Sequence, residues 1–503
     1  MAVNRPCFLG IDLGTSGLKS VLVSADDGEL VATSLYEYSP LVLAPGGTEQ
    51  EPETWVDAAV ATVRQVIATE PADILGIGLS GQMHSTVTLD AQGEAVRPAI
   101  LWLDRRGAPQ AASLHKVVGE SQLARWTGNP VMPGLTLTSL LWMREHEPER
   151  WDRVAHVLLA KDYLRYRLTG TLATDLSDAS ASGMLRTGRR AWCMELMTAL
   201  NLPATILPPL FESTQVVGTL QRDMAARMNL ATGIPVVCGA GDQAAQAIGN
   251  GIIRPGTVSS TIGTGGQLFA VADRYHPDPH LRLHTFCHAA PGRWHWLAAT
   301  LTAGLSLRWL RDQVLGGGRD YAELADAAAT IEPGAEGLIF LPHLAGERTP
   351  HMNPHARGVF VGLTLHHTWR HMVRAVMEGV LFSLADGLEL IHQMGEVRHI
   401  VASGGGTRHP LWLQLQADTY GRPVVRTETR EAAALGAALL AGVGTGFYPD
   451  LETACQVAVR WSDHVVTPRP AVHARYRTLA GRYRALYQAL TPHFKIAREG
   501  RSN

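Results

Sequence analysis

A chain of 503 residues, 46% hydrophobic, with 44 Lys and Arg against 46 Asp and Glu, is long enough for two or three domains with cores of their own, which excludes a disordered protein. A formal net charge of -2 gives no overall pull toward phosphate backbones or anionic lipid, so neither nucleic acid nor a membrane is an expected partner. Five cysteines, odd in number and without CxxC spacing, read as reduced thiols of a cytoplasmic protein, and the opening residues carry no export signal.

In chain order, residues 8–13 form an apolar strand, Gly14-Thr15-Ser16-Gly17 a turn, and residues 18–23 a second strand, with another strand expected after Asp26-Asp27-Gly28. Residues 52–68 have helical periodicity, 75–79 and 86–89 read as strands, and 148–168 reads as one helix. Residues 235–238 form a strand, Gly239-Ala240-Gly241 a turn, and a helix begins at Asp242. Residues 257–262, Gly263-Thr264-Gly265-Gly266 and 267–271 then repeat the opening hairpin. A long helix over 370–394, a strand over 400–403, a turn at Gly404-Gly405-Gly406 and a helix over 410–420 follow. Residues 432–449 suit a buried helix ending in a glycine-rich turn rather than a membrane span, and Tyr476, Leu479, Tyr483, Leu486 and Leu490 stripe a docked final helix.

The segments Ile11-Asp12-Leu13-Gly14-Thr15-Ser16-Gly17 and Ser260-Thr261-Ile262-Gly263-Thr264-Gly265-Gly266 align without a gap. Two matched hairpins point to a duplicated α/β domain with a cleft between the copies and a boundary among the turns at 241–256. Glycine loops bring consecutive backbone N–H groups close to phosphate oxygens, and Asp12 beside the first loop suits a Mg²⁺ ion held partly through water. Either loop alone is an ordinary turn, and neither is a P-loop, since no GxxxxGK[ST] occurs. Asp242 has two readings: a helix N-cap, or a general base at a strand-to-helix junction.

Gly239-x-Gly241-x-x-Ala244 and Gly76-x-Gly78-x-x-Gly81 match the dinucleotide fingerprint. However, the first lacks an acidic residue about 20 positions on, and the second leads into a strand. His284-x-x-Cys287-His288 and His366-His367-x-x-x-His371 lack a metal-site pattern and read as structural or surface histidines.

The order and spacing of several segments resemble the FGGY family of carbohydrate kinases over essentially the whole chain, most closely its xylulose kinases. They are Gly10-Ile11-Asp12-Leu13-Gly14-Thr15-Ser16, Ser80-Gly81-Gln82-Met83-His84, Ile100-Leu101-Trp102, Lys161-Asp162-Tyr163-Leu164, Gly346-Glu347-Arg348-Thr349-Pro350 and Ser403-Gly404-Gly405-Gly406. The resemblance implies a two-domain actin-like ATPase fold, related to ribonuclease H, with a duplicated domain and a central cleft. It divides the chain into an N-terminal sugar-binding domain, 1–245, and a C-terminal nucleotide-binding domain, 246–503. The implied activity is ATP-dependent phosphorylation of a ketopentose, D-xylulose foremost. Another sugar or polyol, or a non-catalytic nucleotide-binding module, stands as the alternative.

The same resemblance implies Asp242 and Asp12 as catalytic and Mg²⁺-binding residues. Met83, His84, Gln82 and Gln243 would bind the sugar, while Thr15, Ser16, Gly263, Thr264, Gly265, Gly404, Gly405 and Gly406 would bind ATP. The implied partner is a small sugar, and the candidate assembly is a homodimer. The chain departs from the family pattern at Ser139 (Lys), Gln243 (Asn in many xylulose kinases), Leu103 and Arg105, which bears on the sugar bound.

Overall fold

The computed structural model describes residues 5–429 and 431–494. The opening hairpin pairs β1 (Arg5–Leu13) antiparallel with β2 (Gly17–Ser24), and β3 (Leu30–Glu37) extends it. Helix α1 (Pro52–Thr69) begins on a proline, tolerated where an N–H has no helical partner, and buries Trp55, Val56, Ala59, Val63 and Val66. It carries the chain across the sheet so that β4 (Ala72–Gly81) runs parallel to β1.

The 148–168 stretch is not one helix. Its apolar run forms the buried strand His156–Leu159, paired with Thr86–Leu89, before α2 (Ala160–Thr169) begins. A four-residue apolar run fits a buried strand and a helical turn equally well by periodicity, and here sheet pairing decided. After α3 (Leu176–Ala181), β5 (Val216–Thr219) and β6 (Pro235–Val237) complete the sheet in the order β5-β6-β4-β1-β2-β3. Ala240 and Gly241, expected as part of a turn, pair in parallel with Ser80 and Gly81, and α4 (Asp242–Gly249) follows directly.

The second half repeats the plan. β7 (Gly256–Ile262) and β8 (Gly266–Ala272) form the hairpin, and β9 (His284–Cys287) and β10 (Trp294–Thr300) extend it. Helix α5 (Trp369–Met394) crosses over to β11 (Val397–Gly404), parallel to β7; α6 (Pro410–Tyr420) leads to β12 (Val424–Arg426). Five strands correspond in order and direction, β6-β4-β1-β2-β3 of the first sheet with β12-β11-β7-β8-β10 of the second, which supports the duplication; β5 and β9 are additions at opposite edges. α7 (Ala432–Gly444) and α8 (Pro470–Leu490) follow, the latter burying Tyr476, Leu479 and Tyr483 as its stripe predicts.

Helices α4 and α7 pack on each other between the sheets. A Cβ on Gly436 would stand 1.9 Å from the Ala245 carbonyl oxygen, so the backbones touch directly. On its other side α7 lies on β1 and β4, where a Cβ on Gly78 would stand 1.8 Å from the Ala437 oxygen. The Gly76-x-Gly78 spacing therefore serves helix-on-sheet approach rather than a dinucleotide. No described helix is long and apolar enough to cross a membrane.

Candidate active site

The carboxyl ends of β1 and β4 and the Ala240–Gly241 pair meet at one edge of the first sheet, the place where open α/β sheets gather ligands. Asp12, half-buried at the end of β1, accepts a hydrogen bond from Ser80 Oγ at 2.8 Å. Burial raises its carboxyl above the usual range, and the Ser80 bond partly opposes that. Asp242 is the first residue of α4; the N-cap is Gly241, and no side chain caps that helix end. The capping reading is thus corrected: Gly241 is the N-cap, Asp242 is the first helical residue, and its carboxyl does not cap the helix. Burial, and next the charge on Asp12, push Asp242 up to about 7. Gln243, half-buried beside it, hydrogen-bonds that carboxyl and pulls the other way.

A buried charge network anchors this junction. Lys161 Nζ on α2 lies 2.6 Å from Asp162, 2.8 Å from Asp175 and 3.4 Å from Asp178, and Arg165 reaches Asp162 at 2.8 Å and the Cys238 carbonyl at 3.0 Å. Burial drives the Asp178 carboxyl well above the usual carboxylate range. Ser177 Oγ accepts from the Gly241 N–H at 3.2 Å, tying the start of α4 to α3. Sequence reading missed this role: Lys161-Asp162 carries a family motif, but its partners lie elsewhere in the chain.

Gln82, Met83 and His84 follow β4 directly. Gln82 is buried beneath the first glycine turn, where it accepts from Thr15 Oγ1 at 3.0 Å; Thr15 Oγ1 in turn accepts from Trp102 Nε1 at 2.9 Å. Gln82 therefore shapes the loop. Met83 packs among Ala181, Ala247, Phe269 and Phe286, joining the two halves. His84 has φ 68° and its Nδ1 lies 2.6 Å from the Ala181 carbonyl. A carbonyl only accepts, so Nδ1 holds the proton; burial lowers the ring pKa to about 4, leaving Nε2 a neutral acceptor.

The two turns are built alike: Gly14 N–H donates to the Gly17 carbonyl at 2.9 Å, and Gly263 N–H to the Gly265 carbonyl at 2.9 Å. Among the described residues the amides of Thr15, Ser16, Thr264 and Gly265 have no main-chain acceptor, which leaves them for an anion. Gly404, at φ 76°, opens the turn Gly405–Thr407, and a Cβ on Gly406 would stand 2.7 Å from Ile262 Cβ, so the triplet lies against the second loop. The described residues hold no group of three or more His, Cys, Asp or Glu side chains arranged for a metal. All five cysteines are free and buried.

This doubled sheet, with two free-amide turns and paired carboxylates, defines a phosphotransferase of the duplicated ATPase type. The chain belongs to the FGGY family of carbohydrate kinases: its N-terminal domain model matches residues 7–249 and its C-terminal domain model residues 258–445. It is 38% identical over 489 residues to a xylulose kinase of Escherichia coli, covering 96% of this chain and 99% of that one. Among solved structures, a xylulose kinase from Rhodospirillum rubrum superposes with a TM-score of 0.91 at 30% identity, covering 97% of this chain and 100% of that one. A gluconate kinase from Lactobacillus acidophilus superposes at 0.92 with 27% identity, covering 97% and 98%.

Proposed function

We propose that the protein transfers the γ-phosphoryl group of ATP to the terminal hydroxyl of D-xylulose, giving D-xylulose 5-phosphate and ADP. The observation that carries this reading is Asp242, a cleft carboxyl pushed up to about 7, at a helix start facing Asp12. The full-length likeness to proteins named xylulose kinases supports the choice of sugar. A base of that strength is ionised in about half of the molecules at neutral pH, and is basic enough to take the hydroxyl proton as the oxygen attacks phosphorus. Met83, His84 and Gln243 orient the sugar, with His84 Nε2 accepting from a hydroxyl, and Gln82 holds the adjoining turn. The free amides of Thr15, Ser16, Thr264 and Gly265, with Gly263 setting the second turn, cradle the triphosphate; Gly404, Gly405 and Gly406 line the adenosine site.

Asp12 and Asp242 fit Mg²⁺, which takes one or two carboxylates and fills its remaining positions with water and phosphate oxygens. When bound it would supply charge neutralisation on the β- and γ-phosphates. Residues 1–245 bind the sugar and supply the first phosphate loop, and 246–503 bind the nucleotide. The test is ADP release from MgATP across ketoses, aldoses, polyols and a no-sugar control. Stimulation by D-xylulose above the other neutral sugars is expected; stimulation by no sugar at all would overturn the kinase reading.

A further inference from the structure

In the second half of the chain, α5, α6 and α8 leave a half-open cleft of about 960 Å³ between them, at the upper end of the ~300–1,000 Å³ range of small-molecule sites. Buried Leu388, Val397, Tyr420 and Ala480 give it an apolar floor, and Glu389, His392, Arg422, His473, Arg477 and Arg484 form its polar wall. None of these residues belongs to the catalytic cleft. Val397 opens β11 and Gly404, where the glycine triplet begins, closes it, so the length of an eight-residue strand, about 25 Å, separates the two places.

The wall is held in place by bonds that leave its charge uncompensated. Arg422, half-buried just past α6, donates through Nε to the Val397 carbonyl at 2.9 Å and through Nη1 to the Gly421 carbonyl at 3.0 Å, and among the described residues it forms no ion pair. His473 of α8 stands against the same turn, since a Cβ on Gly421 would lie 2.4 Å from His473 Cε1. Its Nδ1 is 2.8 Å from the Asp418 carbonyl and so carries the proton, which leaves Nε2 an acceptor. Arg477, one helical turn on from His473, shares that face of α8 and likewise forms no ion pair among the described residues. Arg484 differs, because it is paired with Asp386 at 2.9 Å. Glu389 is the one acidic side chain on the wall. At the end of α6, Thr419 also lines the cleft; it is buried and its hydroxyl has no hydrogen-bond partner.

We propose that this cleft is a second ligand site, separate from the catalytic one, and that it takes an organic phosphate: the phosphate group on Arg422 and Arg477, the organic body on the apolar floor, and its hydroxyls on Glu389, Thr419 and His473. Planar guanidiniums match phosphate oxygens with paired N–H donors, and such charge-assisted bonds are the strong ones. The single carboxylate of Glu389 offsets only one of the two unpaired arginines, so the wall favours an anion. A bare phosphate would fill a small part of the 960 Å³ and leave the floor uncovered, which is why the ligand carries an organic body. Because the cleft is built from the end of α5, the start of β11 and the end of α6, its ligand would bridge the elements that lead into and out of the glycine triplet. The site stands whether or not the kinase reading does, since it shares no residue with it.

The test is calorimetric titration of the full-length protein with D-ribose 5-phosphate, adenosine monophosphate and inorganic phosphate, for the native chain, Arg422→Gln and Arg477→Gln. The expected result is that at least one of the two organic phosphates binds the native protein more tightly than inorganic phosphate does, with its Kd rising about tenfold or more in each variant. Whichever of the two binds more tightly shows whether a sugar alone or a base covers the floor. Arg477 is exposed and makes no hydrogen bond among the described residues, so Arg477→Gln decides the matter even where Arg422→Gln fails to fold. No binding by either organic phosphate would overturn the proposal, as would a Kd unchanged in Arg477→Gln, or inorganic phosphate binding as tightly as both. ADP release with D-xylulose should stay within about twofold of native in Arg477→Gln; a fall in turnover that matches the loss of binding would place the phosphate in the catalytic cleft and overturn the second site.

Discussion

In the first half, β4 ends at Gly81 and hands over to Gln82, Met83 and His84; in the second, β11 ends at Gly404 and hands over to Gly405, Gly406 and Thr407. The registers match: Leu13 lies opposite Gly81 as Ile262 lies opposite Gly404. One position inward, Ser80 bonds the carboxylate of Asp12 at 2.8 Å, and Ser403 bonds the hydroxyl of Thr261 at 2.7 Å. Gly404, the last residue of β11, and His84, three residues beyond β4, each have a positive φ. The two halves keep one backbone plan and differ in what they hang on it: the side chains of Gln82, Met83 and His84 on one side, nearly bare main chain on the other, and a carboxylate where its counterpart has a neutral hydroxyl.

The sharpest way to test that contrast is Asp242→Asn, which should fold with a melting temperature near the native one and lose about 10²–10⁴ in turnover. Turnover within tenfold of native would remove Asp242 as the base. Next, two glycines should behave oppositely. Gly78→Ala drives a Cβ to 1.8 Å from a main-chain oxygen and should cost about 3 kcal/mol or leave the protein insoluble. Gly405→Ala meets only the Ile262 oxygen at 3.7 Å, so thermal denaturation should barely change while the KM for ATP rises about tenfold.

The pH profile sharpens the comparison further. Protonated Asp242 cannot accept a proton, so kcat/KM should fall as pH drops through about 7. Asp12→Asn removes the like charge that helps raise Asp242, so the residual activity should show its acidic limb at lower pH. The smallest effects come from the matched hydroxyls. Ser80→Ala and Thr261→Val should each cost about 1 kcal/mol of stability in denaturant titration, but only Ser80→Ala should alter the pH profile, because only Ser80 bonds a titrating group.

Much of this was legible in sequence. The hairpins, α1, α5 and α6 carry strong periodicity between glycine and proline signals, and the gapless match of residues 11–17 with 260–266 exposed the duplication. The strand His156–Leu159 was hidden, since four apolar residues before a helix extend the helical pattern. Lys161 and Arg422 were hidden for another reason: what they do depends on neighbours far along the chain, Asp175 and Asp178 for the one and His473 and Arg477 for the other. Asp242 showed as a helix start, but only the fold revealed that Gly241, not Asp242, takes the cap.

The glycine-lined seat of α7 on β1 and β4 bears on how the duplicated gene is to be cut. Residues 432–444 roof the sheet formed by the chain's opening strands, so a fragment ending near residue 245 lacks its own cover and leaves Gly10, Gly76 and Gly78 lining an open apolar trough. Though each half repeats the other, the first is not a self-sufficient module, because its sheet is roofed by a helix that the second supplies.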